Sequence, residues 1–136
     1  MATYVGGDKL VLNKEYVTAA ANLADKTLVT VAGAVPSSAA VCFGVVEKDT
    51  ASGDLATVKT APGIVEVVAS GTVTKGTKVE ALQGSIYANI NGTSTSITYA
   101  GVQDLVSGYP IGIAHTSGVA GDTVLVQLFA NQAKSA

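Results

Sequence analysis

The sequence predicts an all-β fold, a small single-domain barrel or sandwich of short antiparallel strands with little helix. Val, Thr and Ile are abundant and there are 15 glycines, whereas the usual helix-forming residues are sparse. Short β-type runs recur about every eight to twelve residues between Gly and Pro turns, a spacing typical of sandwiches and barrels. Asn91-Gly92 lies between two such runs and is a strong signal for a two-residue hairpin loop.

The length and the charge content indicate one domain over residues 1–136. A chain of this size buries a core without disulfides or a metal. Only 13% of the residues are charged, compared with about 25% in average domains, and no apolar run reaches the roughly 18 residues that span a membrane. We therefore expect a soluble protein with no membrane partner. A surface with so little charge often contacts other proteins or further copies of the same chain.

Residues 1–8 are expected to form an N-terminal arm or an edge strand. Tyr4 and Val5 precede a turn at residues 6–8, and chain termini are loosely held unless they dock on a neighbour. The arm is therefore a candidate for contact with another subunit or another protein. The candidate contact residues are Ala2, Thr3, Tyr4 and Val5.

The first half of the chain is expected to contain four further strands. Residues 17–23 are rich in alanine and predict at most a short helical turn. The strands are expected at residues 27–31, 40–47, 54–59 and 64–69, and glycine or proline residues mark the turns between them.

The second half is expected to contain the hairpin around Asn91-Gly92. Residues 78–81, 85–90 and 93–99 are β-type runs, and residues 101–105 predict one short helical turn. A two-residue loop fixes the pairing, which buries one apolar face of the hairpin. The expected pairs are Ile86 with Ile97, Ala88 with Thr95 and Ile90 with Thr93, and the residues expected to point outward are Tyr87, Asn89, Ser94 and Ser96.

Residues 109–129 predict a closing strand, turn and strand, followed by a flexible tail at residues 131–136. The same arrangement occurs 68 positions earlier, and a weaker similarity at an offset of 69 relates residues 7–10 to residues 76–79. The pattern indicates an internal two-fold repeat, with chance similarity among glycine-rich turns as the alternative. The matching residues at offset 68 are Gly44-Val45 with Gly112-Ile113, Gly53-Asp54 with Gly121-Asp122, and Val58 with Val126.

Residues that usually carry catalysis or bind metals are few. His115 is the only histidine and predicts a turn or surface position, so a multi-histidine metal site is not expected. Cys42 lies in an apolar run, where a small buried side chain is favoured over a nucleophile paired with His115. For Glu47 and Asp49, a solvated turn is favoured over paired-carboxylate catalysis. We expect no enzymatic activity, no catalytic residue, no metal and no cofactor.

Three further patterns have an ordinary structural interpretation. Gly53-Asp54 and Gly121-Asp122 lack the spacing of calcium loops and predict turns. The Asn91-Gly92-Thr93 sequon is interpreted as a turn, because no secretory signal precedes it. Asp25-Lys26 precedes a strand, as does the modified lysine of lipoyl and biotinyl carrier domains. A non-catalytic β-barrel binding or carrier module is therefore the alternative function.

The distribution of charge does not favour nucleic acid as a partner. The net charge is −2, and the eight basic residues are all lysines, scattered along the chain. Phosphate recognition favours a clustered basic face, usually with arginine. The N-terminal residues contain neither a basic region nor an apolar stretch typical of a leader, so we expect synthesis in the cytoplasm.

Residues 42–129 resemble the small head decoration, or cement, proteins of tailed bacteriophages and prophages. The resemblance covers about two thirds of the chain and consists of strand and turn motifs without a catalytic residue. The motifs are Phe43-Gly44-Val45 leading to Gly53-Asp54, Ser70-Gly71-Thr72-Val73 with Gly76-Thr77-Lys78-Val79, and Ile111-Gly112-Ile113-Ala114 leading to the Gly121–Leu128 segment.

The resemblance implies a non-enzymatic structural protein of the virion. Such a protein is made in the host cytoplasm and binds the major capsid protein on the outside of an icosahedral capsid, commonly as a homotrimer at local three-fold positions. It stabilises the shell against the pressure of the packaged DNA. Many weak contacts in each trimer give tight binding without deep pockets.

Overall fold

The structure is a computed structural model, and it describes residues 13–90 and 92–132. These residues form nine β-strands and contain no helix, so the predicted all-β class is confirmed and no helix is present that could cross a membrane. The strands are β1 Asn13–Thr18, β2 Leu28–Val29, β3 Gly44–Val46, β4 Leu55–Thr60, β5 Gly63–Val68, β6 Lys78–Ile90, β7 Thr93–Asp104, β8 Gly112–Ala114 and β9 Thr123–Leu128.

The strands form two antiparallel sheets. The first has the order β1-β4-β3-β2 and the second the order β5-β9-β8-β6-β7. The second sheet curls until its two outer strands meet, because Ala69 bridges to Val102 and the Ser70 N–H donates to the Val102 carbonyl at 2.9 Å. The Val68 N–H donates to the Lys26 carbonyl at 2.9 Å and ties the two sheets together.

The two sheets share one apolar core. β5 shows the pattern that produces it, since Val65 and Val67 are buried while Glu66 between them is half-buried on the other face. Leu28 and Val45 of the first sheet pack in the same cluster as these valines. A fully buried side chain of this size contributes about 1.5–3 kcal/mol, so the shared core is the main force holding the sheets together.

The strand pairings of the first half recur in the second. β1 and β2 lie 50 residues before β5 and β6, and β3 and β4 lie 68 residues before β8 and β9. The register recurs as well, since the pairing of Leu28 with Val45 matches that of Lys78 with Ile113. These pairings confirm the repeat predicted at offset 68. Residues 7–10 lie outside the described part of the chain, and the structure makes residues 26–29 the counterpart of residues 76–79.

The two repeats differ by an insertion of 18 residues, which is the difference between the offsets 68 and 50. Residues 30–32 make a tight turn in the first repeat, whereas residues 80–100 make most of the long β6–β7 hairpin in the second. Each connection is followed by a glycine, Gly33 or Gly101, that lies against the backbone of the first strand of its repeat. The hairpin is therefore an addition to a fold unit that closes without it.

The β6–β7 hairpin has the predicted register. Ile86 pairs with Ile97 and Ile90 with Thr93, as the two-residue loop requires. The buried face of the hairpin packs on Ala24 and on the partly buried Ala51, so its tip covers two turns of the first repeat. The predicted outward residues Tyr87, Asn89, Ser94 and Ser96 are all exposed.

Two predicted helical turns and several strand limits are wrong. At residues 17–23, β1 extends to Thr18 and the Ala20 N–H then donates to Gly33 across the sheet, which leaves no helical hydrogen bond to form. Residues 101–104 belong to β7, where Gly101 allows close approach to β5. The runs at 27–31 and 40–47 are strands only at Leu28–Val29 and Gly44–Val46, and the runs at 78–81 and 85–90 form one continuous strand.

Candidate interaction surface

The candidate catalytic residues are held in separate structural roles. His115 is exposed and its Nε2 lies 3.1 Å from Gln127 Oε1. Glu47 pairs with Lys14 at 2.6 Å, whereas Asp49 accepts a hydrogen bond from the Asp25 N–H at 2.8 Å. Within residues 13–90 and 92–132, no three His, Cys, Asp or Glu side chains lie close enough together to hold a metal ion.

The two Gly-Asp pairs form equivalent turns, as predicted. Gly53 and Gly121 have φ values of 92° and 94°, a region that glycine enters without steric cost. Asp122 also accepts a hydrogen bond from the Val119 N–H at 2.9 Å, which holds the second turn. Both pairs therefore connect strands.

Lys26, the residue of the carrier alternative, lies at the junction of the two sheets. Its N–H donates to the Val46 carbonyl at 2.9 Å, and its own carbonyl accepts from Val68. The lysine side chain is half-buried. Burial raises the pKa of the neighbouring Asp25 carboxyl and Asp49 adds to the increase, although Lys26 opposes it. The carrier function requires a lysine at an exposed tip, and the position of Lys26 differs from that.

Cys42 is buried, as expected, at the end of a groove. Burial raises the pKa of its thiol to about 12. The Cys42 N–H donates to Gln132 Oε1 at 2.9 Å and the Cys42 carbonyl accepts from Gln132 Nε2 at 2.7 Å. A single glutamine side chain therefore fixes this stretch of backbone and ties residue 132, in the predicted tail, to the body of the protein.

The high pKa of Cys42 predicts a thiol that does not react in the folded protein. At pH 8 we expect a disulfide reagent such as Ellman's reagent to modify Cys42 at least a thousandfold more slowly than in the urea-unfolded chain, because three pKa units correspond to about a thousandfold in thiolate. Absorbance at the released thiolate follows both reactions. Equal rates in the folded and unfolded protein would contradict the burial of this thiol.

Glu80 is a buried carboxylate that sequence reasoning did not single out. Its side chain is only 3% exposed, and its Oε1 accepts hydrogen bonds from the N–H groups of Val106, Ser107 and Gly108 at 3.2, 3.2 and 2.7 Å. Gln103 Nε2 donates to the other oxygen at 2.8 Å. Burial alone would raise the pKa of this carboxyl, but the hydrogen bonds outweigh it and lower the pKa. The only signal in the sequence is an acidic residue within a buried strand.

Glu80 holds the loop that crosses from β7 to β8. The Tyr109 N–H donates to the Ala39 carbonyl at 3.0 Å, and Gly108 packs tightly on Ala39. Between these fixed points Val106 is 78% exposed. The loop therefore presents an apolar side chain to solvent on a rigid backbone.

Several other large apolar side chains are also exposed. Val119 is the counterpart of Ala51, but no hairpin covers the second repeat at this position, and Val119 is 60% exposed. Contiguous apolar surface of this kind commonly marks an interaction site. The exposed large apolar residues are Tyr16, Val31, Val41, Leu55, Tyr87, Val106, Tyr109 and Val119.

A groove lies at the end of the molecule where β1 begins, and we refer to it as the end groove. It has a volume of about 440 Å³. Both phenylalanines of the sequence line it, together with Val41, which is 50% exposed. Its apolar lining residues are Val41, Cys42, Phe43, Ala61, Phe129 and Ala130, and its polar ones are Glu15, Thr60 and Gln132.

The predicted contact residues Ala2, Thr3, Tyr4 and Val5 lie outside the described residues. The structure shows where the chain that carries them joins the body. Asn13, the first described residue, pairs with Thr60 at the end of β4, and Thr60 lines the end groove. The end groove is therefore the described surface next to the predicted arm. Comparison with models of protein families finds no match, and comparison with curated protein sequences finds none either.

Proposed function

We propose that this protein is a structural protein of a virion, which binds the outer surface of the icosahedral capsid of a tailed bacteriophage or prophage and stabilises it. The observation that carries the proposal is the arrangement at one end of the molecule, where an apolar groove opens beside the start of β1. The resemblance of residues 42–129 to head decoration proteins supports it. The weakly charged surface with exposed Tyr16, Val41 and Val106 provides material for protein contacts.

The proposed mechanism uses the N-terminal arm and several copies of the chain. An extended arm adds a strand to a sheet of the capsid protein or of a neighbouring copy, which satisfies its backbone hydrogen-bonding groups and buries Tyr4 and Val5. Each buried side chain contributes about 1.5–3 kcal/mol. In a trimer, three arms bind together, so that the affinity of the whole greatly exceeds that of one arm.

Deletion of residues 2–5 is expected to weaken capsid binding by at least tenfold and to leave the urea midpoint of unfolding unchanged, because one buried side chain accounts for about a factor of ten. The measurement is co-sedimentation of full-length and shortened protein with undecorated capsids from the phage or prophage that encodes the chain. Three full-length copies should bind at each local three-fold position.

The control is the Val119→Ser variant, which changes an exposed apolar residue in a turn and keeps the arm. Equal co-sedimentation of full-length and shortened protein would remove the arm from the mechanism. Failure of the full-length protein to bind these capsids would contradict the proposed function itself.

A further inference from the structure

The end groove has one obvious point of entry for the chain. Thr60 is the last residue of β4 and lies in the wall of the groove, and Asn13 is its partner across the sheet. Ala61 continues the same wall and Glu15 lies at the rim. The residues that precede Asn13 are therefore covalently attached at the edge of the groove.

The chemistry of these residues matches the lining of the groove. The sequence immediately before Asn13 is Leu10-Val11-Leu12, and three extended residues cover about 10 Å. Phe43 and Phe129 offer apolar surface on opposite chain segments of the wall. A short apolar segment attached at the rim of an apolar groove loses little entropy on docking, because it is already held at one end.

We propose that Leu10, Val11 and Leu12 dock in the end groove of their own chain. The docked segment shields Val41 and the two phenylalanines from water. It also fixes the direction in which residues 1–9 leave the molecule, so that the arm starts from a defined place. The inference concerns the isolated protein and stands whether or not the protein binds a capsid.

Nuclear Overhauser effects test this docking in the full-length protein. Because the chain has only two phenylalanines, selective labelling of their rings with leucine and valine methyl groups gives a simple spectrum. We expect cross-peaks from the rings of Phe43 and Phe129 to the methyl groups of residues 10–12. Absence of all such cross-peaks would overturn the proposal.

Two variants and one mixing experiment make the test specific. Val41→Asp places a charge in the groove wall and should abolish or strongly weaken the cross-peaks, and Val119→Asp, which changes an equally exposed valine in a distant turn, should leave them intact. Cross-peaks that survive Val41→Asp unchanged would contradict docking at this wall. A sample that mixes labelled with unlabelled chains separates contacts within a chain from contacts between chains, and cross-peaks only between chains would overturn docking within the same chain.

Discussion

Replacement of Glu80 by alanine is expected to lower the free energy of unfolding by about 3–5 kcal/mol, the largest effect of any surface-loop contact in the described structure. The substitution leaves the N–H groups of Val106, Ser107 and Gly108 without their acceptor in a place that water reaches poorly. An unsatisfied buried group costs about 1–3 kcal/mol, and bonds to a charged acceptor are the stronger ones. Urea unfolding followed by circular dichroism measures the loss.

Glu80→Gln and Glu15→Ala are the matched variants. Glutamine keeps one oxygen for the three N–H groups but removes the charge, so it should lose about half as much stability as alanine. Glu15→Ala removes an exposed carboxylate and should change the unfolding free energy by less than about 0.5 kcal/mol. If Glu80→Ala and Glu15→Ala have equal effects, Glu80 does not hold the loop.

The pH dependence of stability follows from the same carboxylate. The folded pKa of Glu80 lies below its ordinary value of 4.5, so its contribution is complete above that value and is lost as the pH falls through the lower folded pKa. Asp104 acts in the same direction, because burial alone would raise its pKa but hydrogen bonds from Thr74 and Thr77 lower it. The stability difference between wild type and Glu80→Gln should therefore narrow below about pH 4.5.

Local patterns in the sequence predicted the hairpin and the repeat. A two-residue Asn-Gly loop fixes its register by geometry alone, and Ile86 accordingly faces Ile97. The turns at Gly53 and Gly121 require positive φ, which marks them in the sequence as well as in the structure. Such features depend on neighbouring residues only.

Features that depend on distant residues escaped sequence reasoning. The helical turn expected at 101–105 is a strand because β5 approaches Gly101, and nothing near Gly101 in sequence indicates this approach. The role of Glu80 depends on a loop 26 to 28 residues later. The end groove combines the start of β1 with segments near residues 42, 61 and 129. Composition placed these residues in an all-β domain but did not place them next to one another.

Replacement of Gly44 by alanine is expected to cost about 3 kcal/mol or more, and Gly112→Ala should cost about as much. A Cβ atom on Gly44 would lie 2.7 Å from the Val58 side chain and still closer to the Lys59 carbonyl, and one on Gly112 would meet Val126 and Gln127 in the same way. Overpacking of this kind costs about 1–3 kcal/mol, and the cost rises when the obstacle is backbone that cannot rotate away. Urea midpoints of the two variants measure the effect.

Gly53→Ala and Gly121→Ala provide the comparison that separates crowding from backbone strain. At both positions a Cβ atom meets nothing within 4 Å, and the positive φ is the only penalty. That penalty is about 1–2 kcal/mol for a residue with a side chain. The equivalent positions should therefore behave alike, with Gly44 and Gly112 forming the more damaging pair. If Gly44→Ala costs no more than Gly53→Ala, the close approach of β3 to β4 does not limit the residue at this position. If Gly44→Ala and Gly112→Ala differ by several kcal/mol, the two repeats do not pack their central strands in the same way.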